Sequence, residues 1–238
     1  MPHDRTRVLT EFDATARAYD RLTSVNPGYH RHLALSARRL GLPDGGRGLR
    51  LLDAGCGTGA STRALLEVAP AAEIVAFDAS AEMLARARRK SWPSTVRFVQ
   101  CSFDELDSAE GHCPVEGDFD GVLAAYLVRN LDDVDEALGT LRSRLRPGAP
   151  LVVHEYSLQN RWARTVWTIV CAAVIVPAAT IATRRPELFR YLRRSVLDFD
   201  PPSTLRSRLR HAGFKQVRSE SVRGWQHGIV HSFFGRRA

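Results

Sequence analysis

The sequence predicts an α/β fold, a doubly wound and mostly parallel sheet with helices on both faces. Three observations carry that prediction. Short apolar runs recur at Leu51–Asp53, Ile74–Phe77, Val96–Val99, Phe119–Ala125 and Leu151–Val153. Segments with helical spacing separate several of them. A glycine-rich turn, Gly55-Cys56-Gly57-Thr58-Gly59, follows the first run at once. Strands that alternate with helices in this rhythm build parallel sheets through crossover connections.

Each element has its own signal. Arg5–Leu40 has helical character, with Phe12, Ala16 and Tyr19 on one face. Gly41–Gly48 is turn-rich and leads into the first strand. A helix is expected from about Ser61 to Val68. Asp78 closes the second strand, and the Ser80 hydroxyl can accept from a first-turn N–H, capping a helix over Ala81–Lys90. Gly111–Gly117 reads as loop. Val134, Leu138, Leu141 and Leu145 repeat at helical spacing until Pro147-Gly148. A helix over Ser203–Ala212 ends at Gly213. β-like runs at Phe214–Val222 and Gly228–Phe234 bring the strand total to seven. The chain reads as one domain, with a helical cap at 1–48, a core at 49–157, a helical insert at 158–200, and a closing helix and strands at 201–238.

Composition narrows the class. With 44% hydrophobic and 25% charged residues, the chain is an ordinary globular one. Its net charge of +8 is carried almost wholly by arginine, since Lys90 and Lys215 are its only lysines. Basic charge suits nucleic acid, anionic membranes or acidic substrates, but equally arginine spread over solvated faces. Nucleic acid is disfavoured, because no aromatic-flanked Asn-Pro-Pro run and no added RNA-binding module is present. Cys56, Cys101, Cys113 and Cys171 form no C-x-x-C pair and have no zinc-finger histidine spacing. No metal site and no disulfide framework are expected. A polar start without a signal-peptide core makes a reducing, cytoplasmic location the default.

Thr165–Thr183 carries no charge over about the length of a membrane span and is flanked by Arg161, Arg164, Arg184 and Arg185. Four threonines dilute it, and Pro177 should interrupt a helix. A span would also separate the last two strands from their sheet. The reading is a buried or lid helix lining an apolar pocket, with peripheral contact at a membrane surface as the second reading.

The turn after the first strand points to a nucleotide-like cofactor. Glycines let the backbone approach a ligand, and the following helix aims unpaired N–H groups at the same place. Gly55-x-Gly57-x-x-Ala60 with Asp78 further on also meets the loose dinucleotide pattern. Asp53 separates the two readings. Its carboxylate would repel a pyrophosphate, whereas the sulfonium and ammonium of S-adenosylmethionine attract it. Asp78 is placed to accept from ribose hydroxyls in either case.

At this point the chain resembles the class I S-adenosylmethionine-dependent methyltransferases, whose first motif matches Asp53 to Gly59. The resemblance implies a Rossmann-like sheet with an antiparallel last strand. It also implies a cofactor site built on Asp53, Gly55, Cys56, Gly57 and Gly59. Asp78 and Ala79 would lie at the ribose, Met83 at the adenine, and Ser102 and Phe103 where the family often has an acid for the adenine amino group. Ala125 would close the site from the fourth strand. Further matches resemble the ubiquinone/menaquinone biosynthesis C-methyltransferases: Phe12 to Asp20, Leu127 to Asp133, Leu145 to Gly148, Val153 to Ser157, Phe189 to Val196, and Gly228 to Val230. Ala60 and Arg194 depart from that group, each replacing a usual acid.

The implied acceptor is a lipophilic small molecule, a quinol or other aromatic carbon. Its alternatives are an O- or N-methylated secondary metabolite, an RNA, or no reaction at all in a cofactor-binding protein. Carbon methylation needs an electron-rich ring, which a group sharing a phenolic proton supplies. His154, at the end of the fifth strand, is the leading candidate for that group, with His227 and His231 behind it. Glu155 is read as orienting a histidine or capping a loop. Tyr19 is expected to close over cofactor or acceptor. Tyr126 and Arg129 follow the fourth strand, where the two meet, and Arg129 has Asp132 or Asp133 as alternative surface partners.

Overall fold

The computed structural model describes residues 28–107, 113–183 and 187–238. Seven strands form one sheet in the order β3-β2-β1-β4-β5-β7-β6. They are β1 (Arg50–Ala54), β2 (Glu73–Asp78), β3 (Val96–Gln100), β4 (Gly121–Ala125), β5 (Pro150–Tyr156), β6 (Phe214–Ser221) and β7 (Val230–Arg237). β1 to β5 pair in parallel, and β7 runs antiparallel between β5 and β6. The strand order reverses between β1 and β4. In open parallel sheets that reversal opens a crevice beyond the carboxyl ends of the strands, where ligands bind.

Alternating side chains load both faces. Leu52, Val75, Val122 and Val153 pack on one side with Leu138, Leu141 and Leu145. Leu51, Ile74, Leu123 and Val152 pack on the other with Leu33 and Ala37 of α1 (Tyr29–Arg38) and Leu65 of α2 (Ala60–Val68). Each such fully buried side chain contributes about 1.5–3 kcal/mol. The helix α3 (Ala81–Arg88) starts as its sequence suggests, with the Met83 N–H donating to Ser80 Oγ. α5 (Val134–Ser143) starts one residue after Asp133, whose carboxylate accepts from two first-turn N–H groups. Phe12, Ala16 and Tyr19 lie outside the described residues.

Three expectations need correction, and one element is added. β5 is not a three-residue strand; it runs through His154 and Glu155 to Tyr156, and all seven residues are buried. Polar residues end a strand in a sequence reading, but here both side chains find buried partners. A short helix, α4 (Phe103–Asp107), occupies part of the stretch between the third and fourth strands. Ser102 and Glu105 close it reciprocally: Ser102 Oγ accepts from the Glu105 N–H, and Glu105 Oε2 from the Ser102 N–H. Cys101, at the end of β3, forms a disulfide with Cys113. No spacing motif announces it. The bond removes cysteine usage as an argument for a reducing compartment.

The third correction concerns the insert. α6 (Arg161–Val170) runs through a π-helical turn, Cys171–Ile175, into α7 (Val176–Thr183). Pro177 does not break this helix. A proline clashes with the carbonyl four residues back, here Ala173, and the widened turn contains that residue. The helix is not buried either. Ala163, Trp167 and Cys171 pack inward, whereas Trp162, Ile169 and Val174 are 74%, 58% and 57% exposed. Arg161–Ala178 is long and apolar enough to cross a membrane by length and composition alone. Its inner face is fastened to the protein by Trp167, which packs with Tyr156, Val222, Ile229 and Val196. Val196 lies on the following helix, α8 (Glu187–Asp198). A last helix, α9 (Pro202–His211), then leads into β6.

Candidate active site

The carboxyl ends of β1, β2 and β4 meet at the glycine turn. Gly55, Gly57 and Gly59 all adopt positive φ, at 70°, 54° and 89°. A side chain on Gly55 would strike Leu127, and one on Gly59 would strike Trp92. A side chain on Gly57 would meet nothing within 4 Å, so the backbone there borders open space. The turn is tied to the second strand: the Cys56 N–H donates to the Phe77 carbonyl, and the Gly57 N–H to Asp78 Oδ2 at 2.8 Å. Cys56 is buried beneath the turn.

Asp53 is fully buried under the same turn. Its Oδ2 accepts from Ser61 Oγ at 2.8 Å and Thr62 Oγ1 at 2.6 Å, both in the first turn of α2. Its Oδ1 is buried without a partner among the described residues. Burial pushes the carboxyl up to about 7, against the pull of the two hydroxyls, and the Asp78 charge adds to the rise. A half-satisfied carboxylate held back from ionising attracts a cation. The residues therefore fit the sulfonium and ammonium of S-adenosylmethionine. Asp78, whose Oδ1 accepts from the Ser80 N–H, stays partly exposed at the crevice beside Ala79. Ser102, Phe103 and Ala125 are likewise half-buried along this edge, whereas Met83 is buried in the first turn of α3. Ser102 spends its polar atoms on the helix cap, a role its spacing to Glu105 announced and the sequence reading did not use.

Two polar networks stand beyond β4. In the first, His154 is fully buried and both ring nitrogens are engaged. Nε2 lies 3.1 Å from Tyr126 Oη, and Nδ1 lies 2.8 Å from Ser36 Oγ of α1. Ser36 Oγ lies 2.6 Å from Ser232 Oγ of β7, which also accepts from Arg39 Nη1 at 2.5 Å. Burial lowers His154 to about 3, helped by His32, Arg39 and His231, so its imidazole is neutral. Tyr126 sits just past β4 with φ of +57°, a conformation that turns a non-glycine residue away from the strand path. Its ring stacks on Tyr29, with centroids 5.8 Å apart, and lies 5.0 Å from Tyr156, which lies 4.9 Å from Trp167. An aromatic column thus joins the strand ends to the apolar insert.

In the second network Arg129 is buried. Its partner is Glu155, at 3.3 Å, and not Asp132 or Asp133 on the surface. Glu155 also accepts from the backbone N–H groups of Arg129 and Tyr156. Burial raises the Glu155 carboxyl, and the guanidinium opposes that rise. Arg129 Nη1 donates to Asn130 Oδ1 and Ser195 Oγ, and Asn130 also accepts from Tyr191 Oη. The network staples the turn after β4 to β5 and α8.

The sequence-predicted residues thus fall into three groups, the glycine turn with Asp53 and Asp78, His154 with Tyr126, and Arg129 with Glu155. Tyr19 lies outside the described residues. His231 is buried beside Phe233, with burial lowering it to about 4, and His227 is in the loop before β7. Sequence reasoning missed Ser36, Ser232 and Arg39, for which no local motif exists. Among the described residues no group of three or more His, Cys, Asp or Glu is placed to hold a metal ion.

The model of the ubiE/COQ5 methyltransferase family matches residues 1–237. A demethylmenaquinone methyltransferase of Thermus thermophilus is 36% identical over 166 residues, covering 69% of this chain and 74% of its own. A ubiquinone/menaquinone biosynthesis C-methyltransferase, UbiE, of Stutzerimonas stutzeri is 28% identical, covering 94% and 86%. A methyltransferase of Thermotoga maritima superposes with a TM-score of 0.66 at 17% identity, covering 97% of this chain and all of its own. That likeness is one of fold.

Proposed function

Because the chain belongs to the ubiE/COQ5 methyltransferase family and is an S-adenosylmethionine-dependent methyltransferase, we propose that it methylates a ring carbon of a quinol bearing a lipophilic tail. The observation that carries this reading is the aromatic column Tyr29–Tyr126–Tyr156–Trp167. At its inner end the Tyr126 hydroxyl lies 3.1 Å from the neutral imidazole of His154. Its outer end belongs to a helix with exposed Trp162 and Ile169.

The bound cofactor supplies an electrophilic methyl group on a sulfonium. Everything else is positioning, exclusion of water and control of one acceptor proton. Asp53 is proposed to hold the ammonium and Asp78 the ribose hydroxyls. Gly55, Gly57 and Gly59 let the chain approach closely over Cys56, and Ala79, Met83, Ser102, Phe103 and Ala125 border the cofactor. Tyr19 closes over the reactants. Arg129 holds the turn after β4 in place through Glu155. His154 acts on the acceptor oxygen through Tyr126, favouring the ionised form of the acceptor, whose ring carbon is electron-rich.

The exposed Trp162, Ile169 and Val174, next to exposed Arg161 and Arg164, are proposed to rest on an anionic lipid surface from which the acceptor is drawn. Binding to phosphatidylglycerol vesicles, lost in Trp162→Asp, is the expected result; equal binding to neutral vesicles would remove that part. For the reaction itself, labelled S-adenosylmethionine is incubated with a prenylated hydroquinone, a lipid extract and an RNA pool. Label on the quinol carbon is expected. Label only in RNA, or on an oxygen or nitrogen of another small molecule, would overturn the reading.

A further inference from the structure

The chain Tyr126–His154–Ser36–Ser232–Arg39 is a row of groups that can each donate and accept, ended by one that can only donate. Arginine is always protonated and has no acceptor site. Its Nη1–H points at Ser232 Oγ, and that fixes the direction of the row. Ser232 must send its own hydrogen elsewhere. Its neighbours are Ser36 Oγ at 2.6 Å and His154 Nδ1 at 3.4 Å. In either arrangement His154 Nδ1 receives a hydrogen, from Ser36 or from Ser232 itself. The reverse arrangement has His154 Nδ1–H donating outward, and it leaves the buried Ser232 hydrogen without an acceptor among the described residues. An orphaned buried donor costs about 1–3 kcal/mol.

With Nδ1 an acceptor and the ring neutral, the imidazole hydrogen sits on Nε2, 3.1 Å from Tyr126 Oη. His154 therefore gives a hydrogen bond to the phenol instead of taking its proton. Tyr126 becomes a stronger donor, because its oxygen is already stabilised from behind. We infer that Arg39 sets the direction of this buried chain so that Tyr126 is a catalytic donor to an acceptor phenolate oxygen, with His154, Ser36, Ser232 and Arg39 as positioning residues. This rests on the quinol reading for the identity of the acceptor, whereas the direction of the chain stands on the hydrogen bonds alone. It assigns the site a ligand preference. An ionised or strongly acidic ring hydroxyl next to the methylated carbon is favoured, and a blocked, methylated oxygen is not. The groups facing His154 are His32 of α1, Arg39 just after that helix and His231 of β7, besides Tyr126, while the Glu220 carboxylate of β6 pairs with Arg39 Nη2 at 2.7 Å, on the far side of the row. None of the groups facing the ring is a carboxylate that would reverse the argument.

The test uses the full chain, labelled with ¹⁵N at histidine, with the His154 signal identified by its loss in His154→Gln. Expected is a neutral ring protonated at Nε2 and unprotonated at Nδ1 between pH 6 and 8. Protonation at Nδ1 would overturn the inference. Arg39→Met and Ser36→Ala should turn this signal into a mixture of both tautomers, whereas Arg39→Lys should keep the wild-type pattern; an unchanged signal in both disrupting variants removes Arg39 as the cause. With a prenylated hydroquinone, Tyr126→Phe should lower kcat by about 10²-fold at pH 7 with the KM for S-adenosylmethionine unchanged. The loss should shrink as pH rises and the acceptor ionises by itself. A pH-independent loss contradicts a donor role. If wild type turns over no hydroquinone while the Nε2–H signal is present, the acceptor reading fails and the direction of the chain survives.

Discussion

The two halves of the sheet are built by opposite strategies. On the β1–β3 side, the groups proposed to meet the cofactor bond to close neighbours in the chain. Asp53 Oδ2 accepts from hydroxyls eight and nine residues away, and Ser102 bonds to Glu105 three residues away. On the β4–β7 side, Ser36 reaches His154 across 118 residues and Ser232 across 196. Arg129 reaches Glu155 across 26 and Ser195 across 66. The cofactor end rests on local turn chemistry, which any sequence with the right glycines can repeat. The acceptor end exists only once distant segments have docked. Such a division lets the acceptor site change while the cofactor site stays as it is.

Perturbation should expose that difference. The largest effect is expected at the buried ion pair. Arg129→Ala leaves the Glu155 carboxylate uncompensated and should cost about 3–5 kcal/mol in urea unfolding, with Glu155→Gln costing less because the amide still accepts. A loss below about 1 kcal/mol would show that the acceptor half does not depend on this staple. Next is acid. His154 and His231 are held at about 3 and 4 in the folded state, below the ordinary 6.5. The unfolded chain therefore binds more protons, and stability should fall as pH drops through 6.5 toward those values. A His154→Gln variant should show a shallower fall in melting temperature between pH 7 and 5.

The cofactor half should respond to pH in its ligand affinity. Asp53 is raised to about 7, so without ligand its contribution to stability is lost as pH climbs from the ordinary 3.8 toward 7. A cationic ligand pulls the carboxyl back down, so S-adenosylmethionine affinity should rise between pH 6 and 8. Asp53→Asn should weaken binding at pH 8 by about tenfold, roughly 1.4 kcal/mol, and flatten that dependence by calorimetry. An equally steep profile in the variant would separate Asp53 from the cofactor. The smallest effect is at the cap: Ser102→Ala should cost about 1 kcal/mol and leave the acceptor-side networks untouched.

How much could be read from the sequence follows the same line. The glycine turn, Asp53, Asp78 and the Ser80 cap are local patterns, and the structure places them as the spacing implies. The extent of β5 was misread because His154 and Glu155 are polar. Nothing local reveals that Ser36 and Arg129 lie ready to satisfy them. The insert was misread for a related reason. Its apolar composition suggested burial, yet only the face carrying Ala163, Trp167 and Cys171 finds a partner. Pro177 looked like a stop, and a π-helical turn one residue upstream absorbs it. The Cys101–Cys113 disulfide joins two cysteines whose spacing matches no motif.

The position of β7 has a consequence for how this molecule comes into being. Val230–Arg237 follows every other strand in the chain, yet it is inserted between β5 and β6 rather than added at an edge. During synthesis β1 to β5 can pair as soon as they emerge, completing the ledge beneath the cofactor. β5 then presents an open flank, and β6 has nothing to lie against. Only when the final strand slides between them does Ser232 arrive beside His154. A nascent chain can thus gain the ability to hold a methyl donor before it gains the means to use one.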